Sequence, residues 1–195
     1  MNFFKKVNMK TNKILMLSLA IGLSLSACKK DDDDVTQPSK TNSEEVITTM
    51  QLIFTDSENP AQVKTFVYRD VDGLGGNEPS IDTIKLGVDK TYSVQIVLLD
   101  ETKNPVDTVS KEVKKESDEH LFVFEPANSE ISVTINDFDV NTPPLPLGLL
   151  STWSTGTSML NTSIKISLKH QPGIKNGDPT RGESDIEVVM PIISR

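Results

Sequence analysis

Apolar and polar residues alternate along most of the chain from residue 46 onward, which predicts short β-strands. The run at residues 159–170 is typical, because Ile164, Ile166 and Leu168 share one face. Glycine, proline and short polar residues separate the runs and indicate turns. The pattern predicts about nine strands, at residues 46–55, 62–69, 81–86, 91–100, 120–125, 130–136, 149–154, 159–170 and 185–193.

One segment has helical spacing instead. Val106, Val109 and Val113 form a single apolar stripe among charged residues, and Pro105 suits a first helical turn. We therefore expect one short helix over residues 105–117. A parallel α/β sheet would need many more helices, so the pattern predicts a mainly β fold. We expect an antiparallel β-sandwich of the immunoglobulin-like or Greek-key type, with a closed β-barrel as the alternative.

Two further features concern the interior of the sandwich. Tyr92 follows a turn closely. Its hydroxyl could bond back to the turn backbone, as in the tyrosine corner of β-sandwiches, or the ring could simply pack on its strand. Residues 120–125 are apolar on both faces, which favours a central position in a sheet.

The N-terminus has a different organisation. Four lysines and no acidic residue precede an apolar stretch of 14 residues, at positions 14–27. This stretch is shorter than the ~20 residues of a membrane-spanning helix and is typical of a signal peptide. It ends in Leu25-Ser26-Ala27-Cys28, which resembles the bacterial lipobox. The resemblance implies cleavage before Cys28 and attachment of lipid to its sulfur, which anchors the protein in a membrane. The alternative is a secreted protein with an unpaired thiol.

Two lysines and four aspartates follow Cys28 directly, at residues 29–34. This tract resembles the acidic export tract of surface lipoproteins of the Bacteroidota, and the resemblance implies display on the outer face of the outer membrane. The alternative is a solvated spacer. Residues 35–44 are polar and without periodicity, as in a disordered tether. We therefore expect a signal peptide at 1–27, a lipidated tether at 28–44 and one β domain at 45–195.

Charge and cysteine content exclude several classes of function. The chain has a formal net charge of −8, and removal of the four lysines of residues 1–27 leaves 16 basic and 28 acidic residues, a net charge of −12. This balance argues against nucleic acid as a partner. Because Cys28 is the only cysteine, its lipidation would leave no thiol for a disulfide, a metal site or a nucleophile. Motifs of nucleophilic hydrolases, zinc proteases and P-loop enzymes are missing. We expect no enzyme activity, with a carboxylate-based hydrolase as the residual alternative.

The segment at residues 70–77 is a candidate calcium loop. Asp70 and Asp72 alternate before Gly73, and alternate carboxylates can converge on one Ca²⁺ ion. Asp82 or Glu78 could complete the site. The segment lacks other ligands of an EF-hand loop, and the alternative is a connection that uses glycine for its turns.

His120 and His170 are the only histidines. His120 follows several acidic residues, so a transition-metal site shared by the two histidines is one hypothesis. The alternative is two exposed or half-buried histidines at strand ends.

Together these features predict a lipid-anchored, non-enzymatic binding or accessory lipoprotein of the outer membrane. Its loops, predicted at residues 70–80, 137–148 and 171–184, could assist an outer-membrane transporter or bind a ligand such as a surface glycan. The alternative is a structural or adhesive lipoprotein of the cell surface.

Overall fold

The computed structural model describes residues 45–73 and 75–195. The predicted signal peptide, Cys28 and the acidic tract lie outside the described residues. The α-helix of the described residues, α1, spans Ser110–Lys115. The strands are β1 (Thr49–Asp56), β2 (Val63–Arg69), β3 (Ser80–Ile81), β4 (Ile84–Leu86), β5 (Thr91–Leu99), β6 (His120–Pro126), β7 (Ile131–Ile135), β8 (Leu150–Thr155), β9 (Leu160–His170) and β10 (Glu183–Ser194).

The strands form two open sheets. Sheet A has six strands in the order β3-β2-β1-β5-β8-β7, and sheet B has four in the order β4-β10-β9-β6. The end strands of each sheet do not pair with each other, so the predicted sandwich is confirmed and the closed barrel is not the architecture. Sheet B differs from the all-antiparallel expectation, because β4 runs parallel to β10.

Inward-facing apolar residues of the two sheets make one core, which includes Phe54 of sheet A and Leu168 of sheet B. Trp153 of β8 lies fully buried within it. Its ring contacts Phe54 at 5.1 Å and Phe124 of sheet B at 5.9 Å between centroids, both edge to face. Such pairs each contribute about 0.5–1.5 kcal/mol beyond their buried area. The rings therefore join the sheets across the core.

The segment predicted as one strand at residues 81–86 is divided between the sheets. β3 pairs with β2 in sheet A, whereas β4 pairs with β10 in sheet B. Asp82 marks the crossing: its N–H donates to the Val67 carbonyl, and its carboxylate accepts from the Val67 N–H, each at 2.9 Å. The side chain thus takes the place of a backbone acceptor, and the chain can leave sheet A.

The helix is shorter than the predicted span of 105–117. Asp100 and Asp107 exchange two backbone hydrogen bonds of 3.1 Å, so the residues between them form a turn and not a helix. Val109 and Val113 are buried as expected, whereas Val106 is exposed on that turn. In the part of the chain that the structure describes, no helix has the length and apolar composition needed to cross a membrane.

The prediction that residues 120–125 form a central strand is wrong, because β6 is the last strand of sheet B. The outer edge of β6 is covered by a loop. The Phe122 N–H donates to the Leu147 carbonyl at 2.7 Å, and Leu147 is itself buried. The loop between β7 and β8 therefore shields this edge, as exposed strand edges require.

Candidate metal centre

Both histidines lie at one end of sheet B. His120 begins β6 and His170 ends β9, and the two residues are direct partners in the antiparallel register. His120 lies on the same inner face of its strand as Phe122, and His170 lies on the same inner face as Leu168. Their rings stack with 4.8 Å between centroids and 2° between planes. His120 is 0% exposed and His170 is 7% exposed, so the alternative of exposed or half-buried histidines is wrong.

Two carboxylates complete the cluster. Asp185 reaches both rings: its Oδ2 lies 3.6 Å from His120 Nε2, and its Oδ1 lies 3.5 Å from His170 Nδ1. Glu45 Oε2 lies 3.4 Å from His120 Nε2. The side chains of Asp185 and Glu45 are 1% and 10% exposed. One potential ligand atom from each of the four residues lies within 4.8 Å of the others.

A β-bulge accounts for the position of Asp185. The register between β9 and β10 shifts between Ser184 and Ile186, which leaves Asp185 as the extra residue. In plain alternation with the buried Ile186 and Val188, Asp185 would point away from the core. Bulges redirect single side chains in this way. The irregularity thus brings a carboxylate to two histidines on neighbouring strands.

Backbone contacts hold His120 in one orientation. Its Nδ1 donates to the Glu116 carbonyl at 3.0 Å. Because a carbonyl only accepts, this bond places a proton on Nδ1 and leaves Nε2 of the neutral ring as a lone-pair donor towards the carboxylates. The Gln171 N–H also donates to the Glu119 carbonyl at 2.6 Å, which ties the turn before β6 to the end of β9.

The charges of the cluster shift two pKa values in opposite directions. The hydrogen bond with His120 lowers the pKa of Glu45 below its ordinary value of 4.5, although burial opposes the shift. Burial alone would lower the pKa of His120. The hydrogen bonds to Glu45 and to the Glu116 carbonyl, with the charges of Glu45 and Asp185, raise it above 6.5 instead. Metal-free protein therefore holds a charged pair here in mildly acidic solution.

The donor set fits a tetrahedral ion after a small adjustment. Two ligands bonded at about 2.0–2.1 Å to a tetrahedral ion lie roughly 3.3 Å apart. Three contacts among these side chains are 3.4, 3.5 and 3.6 Å, the last two through different oxygens of Asp185, and the four ligand atoms lie within 4.8 Å of one another. The stacked rings would have to tilt so that both nitrogens point at the ion, and the wider separations would have to shorten. The arrangement can therefore become a four-ligand centre through side-chain rotations.

The three predicted calcium ligands are engaged in local hydrogen bonds. Asp70 accepts from the Gly73 N–H at 2.9 Å, and Asp72 accepts from the N–H and side-chain amide of Asn77 at 3.0 and 2.6 Å. Asp82 accepts from Val67, as described above. Within residues 45–73 and 75–195, these aspartates are not in a group of three converging ligands of the kind formed around His120. Calcium binding by this loop stays a prediction.

Sequence reasoning considered the two histidines together but missed Glu45 and Asp185. The alternation of β9 contained a usable signal, since His170 is in phase with the inward-facing Ile166 and Leu168. No comparable signal exists for Asp185, because alternation with the buried Ile186 and Val188 predicts an outward-facing side chain. No family model, curated protein or solved structure matches the chain.

Proposed function

We propose that this domain binds one divalent transition-metal ion, of the class of Zn²⁺, at Glu45, His120, His170 and Asp185. The observation that carries the proposal is the convergence of four ligand atoms to within 4.8 Å of one another, on largely buried side chains. The four residues come from distant parts of the sequence, so the unfolded chain would not hold the site. Metal binding should therefore stabilise the fold.

The donor types select the class of metal. Two imidazole nitrogens and two carboxylate oxygens suit Zn²⁺ and its neighbours among the divalent transition metals. Ca²⁺ and Mg²⁺ prefer oxygen ligands alone, and in larger number. This chemistry favours a centre distinct from the calcium loop predicted at Asp70, Asp72 and Asp82.

The number of ligands favours binding over catalysis. A catalytic zinc site keeps one coordination position open for water, with three protein ligands. Four protein ligands would fill a tetrahedral shell here, and the second oxygen of each carboxylate adds further coordinating capacity. This supports the expectation of a non-enzymatic protein.

The location of the domain belongs to the same proposal. The lipobox that ends at Cys28 and the acidic tract at residues 29–34 support a lipid anchor on the outer face of the outer membrane. The protein would then hold its metal ion outside the cell. The predicted tether at residues 28–44 would separate this centre from the membrane surface.

Calorimetric titration of the metal-free full chain with Zn²⁺ tests the proposal. We expect the titration to give one ion per chain. Thermal unfolding with and without Zn²⁺ should then show a higher unfolding temperature with the ion, because a ligand at 100 times its Kd stabilises a fold by about 2.7 kcal/mol. Ca²⁺ at equal concentration should not compete. Absence of Zn²⁺ binding would instead leave the cluster as a network of buried hydrogen bonds and charges.

Two variants on β10 make the titration specific. Asp185→Asn removes the charge of the residue that bridges both histidines, and we expect at least a tenfold loss of affinity, about the scale of a lost ligand-supporting contact. Glu183→Gln removes a charge two positions away on the same strand, from an exposed residue. Equal losses in the two variants would indicate general electrostatic attraction and contradict the proposed centre.

A second candidate function, accessory binding through loops, has its own support. Lys175, in the loop at residues 171–182, places its Nζ 3.1 Å from Asp139 Oδ2 in the loop at residues 136–149. Both side chains are buried, so this contact holds the two loops together. The exposed apolar side chains on these loops are Phe138, Val140 and Ile174. Such residues favour a protein partner, for example an outer-membrane transporter.

Affinity purification from gently solubilised outer membranes tests this second function. We expect a transporter in near-equal amount with the wild type, and its loss with the double variant Phe138→Ser, Val140→Ser. The control Val189→Ser changes an exposed apolar residue on β10 instead. Recovery of the lipoprotein alone would count against a stable partner and favour a surface glycan or the structural and adhesive role.

A further inference from the structure

We propose that a metal ion at this centre fixes the N-terminal segment to the domain, with Glu45 as the ligand that this segment contributes. The inference rests on the proposed metal binding and adds a consequence for the connection between the domain and its predicted membrane anchor. It follows from a difference between Glu45 and the other three ligands.

Three ligands stand on a common framework. His120, His170 and Asp185 belong to β6, β9 and β10, which are neighbours in sheet B. His120 and His170 are opposite each other in the ladder, and the residues on both sides of Asp185 pair with β9. Strand pairing at or beside each of these residues therefore holds their backbone in place whether or not a metal ion is bound.

Glu45 is held in a different way. It precedes β1, and the first backbone hydrogen bond along the described residues runs from the Thr48 N–H to the Leu99 carbonyl, at 2.9 Å. Val46 is largely exposed. The Glu45 side chain nevertheless reaches His120, which lies 75 positions later in the sequence, at 3.4 Å. Ile47 packs against the core, so the contact with His120 is what holds the chain before Ile47 against the domain.

Metal binding would turn that contact into a coordinate bond. The bond would also join the sheets, because Glu45 leads into β1 of sheet A and the other ligands belong to sheet B. Cys28, the predicted lipid attachment point, lies 17 positions before Glu45. Occupancy of the centre would therefore set the point at which the tether leaves the domain, and release of the metal would free residues 45 and 46, whereas Ile47 stays packed against the core.

Hydrogen exchange of the full chain, followed by mass spectrometry, tests this inference. In the wild type we expect Zn²⁺ to slow exchange in the peptide that contains residues 45–48 by about tenfold or more, since the residues become tied at both ends. In Glu45→Gln, Zn²⁺ should still bind, with an affinity reduced by about tenfold or more, and should leave this peptide unprotected. The control Glu58→Gln, an exposed carboxylate in the loop between β1 and β2, should behave as the wild type.

The possible results separate this inference from the proposed function. Zn²⁺ binding to the wild type without protection of residues 45–48, or with equal affinity for Glu45→Gln, would overturn the inference and leave the metal centre with three protein ligands. No binding to the wild type would overturn the proposed function itself. If Glu45→Gln fails to fold, Glu45→Asp keeps the carboxylate on a shorter side chain, and weakened protection in this variant would support the inference, whereas full protection would oppose it.

Discussion

Tyr92 places its hydroxyl oxygen 2.8 Å from the Gly87 nitrogen, and its ring meets Phe54 edge to face at 5.8 Å between centroids. The Gly87 N–H donates to the hydroxyl, so the side chain closes the turn between β4 and β5 from within the core. This arrangement confirms the tyrosine-corner alternative for Tyr92. One side chain thus serves both the hydrophobic core and the hydrogen bonding of a turn.

Removal of this hydroxyl should destabilise the domain. We expect Tyr92→Phe to lower the free energy of unfolding by roughly 1–2 kcal/mol, because the Gly87 N–H loses its partner while the ring contacts remain. Urea denaturation measures the change. The control Thr65→Val removes an exposed hydroxyl from β2 and should have little effect. Equal stability of Tyr92→Phe and the wild type would mean that water replaces the hydroxyl.

Lys175 is a second side chain whose role is local and specific. Its Nζ donates to the Ser117 carbonyl at 2.7 Å and lies 3.1 Å from Asp139. Burial lowers the pKa of Lys175, although Asp139 opposes the shift. Burial would raise the pKa of Asp139, but hydrogen bonds from the Leu145 N–H and from Lys175 lower it. The pair therefore compensates two buried charges.

Breaking this pair should cost more than breaking an exposed one. We expect Lys175→Met to lower the free energy of unfolding by about 3 kcal/mol, because it leaves the Asp139 carboxylate buried without its cation. Urea denaturation checks this value. Lys165→Met is the matched control, since Lys165 and Glu125 form a more exposed pair at 2.7 Å and solvent screens their charges. Similar losses in both variants would contradict a special role for the buried pair.

At the scale of elements, the connection between β9 and β10 positions the metal centre. Gly182 comes just before β10 and has a φ of +74°. A Cβ atom at this position would lie 2.0 Å from the carbonyl oxygen of His170. The backbone of one ligand residue therefore packs against a glycine, and a larger residue there would push the ends of β9 and β10 apart.

Gly182→Ala should therefore reduce stability and metal affinity together. We expect a loss of more than about 2 kcal/mol, since the left-handed conformation costs about 1–2 kcal/mol and the overlap with His170 adds to it. Gly173→Ala is the matched control: Gly173 has a φ of +67° in the same loop, with open space around its Cβ position. Gly173→Ala should lose only the stability that the left-handed conformation costs and should keep its affinity for Zn²⁺. Urea denaturation and Zn²⁺ titration of both variants decide the matter.

Element prediction from the sequence succeeded where alternation is regular and failed where side chains replace backbone partners. Strands such as β9 and β10 follow the predicted limits closely, because one face is buried along most of their length. The division at Asp82 depends on its hydrogen bonds with Val67, 15 positions earlier in the sequence. The late start of α1 depends on the backbone bonds between Asp100 and Asp107, which the periodicity of apolar residues does not reveal. The metal centre shows the same limit, since the Asp185 bulge breaks the alternation that made His170 foreseeable.

At the scale of the whole molecule, the charged pair at the centre links stability to pH. The pKa of His120 is raised in the folded state, so its contribution is present below 6.5 and is lost as pH rises through the folded-state pKa. The pKa of Glu45 is lowered, so its contribution is present above 4.5 and is lost as pH falls through the folded-state pKa. The contributions of Glu45 and His120 to the free energy of unfolding are both fully present only between pH 4.5 and pH 6.5.

Comparison of the metal-free wild type with Glu45→Gln isolates this effect from the other acidic residues. We expect the difference in the free energy of unfolding to be greatest between pH 4.5 and 6.5 and to shrink on both sides of that window. Urea denaturation in the presence of a chelator, repeated from pH 3 to 9, measures it. A difference that does not change with pH would show that Glu45 acts through packing alone.

The parallel pairing of β4 with β10 has a consequence for biosynthesis. In sheet B, β10 is the neighbour of β4. β4 therefore cannot pair until Ile192, the partner of Ile84 and 108 positions later in the sequence, has been synthesised. As the chain emerges, the backbone of β4 therefore stays without its strand partner until almost all of the domain has been made. A chain that stops before residue 183 would lose the sheet partner of β4 and one of the two partners of β9. Truncated copies should therefore be recognised by chaperones and proteases as unfinished, and should not persist as partly folded domains.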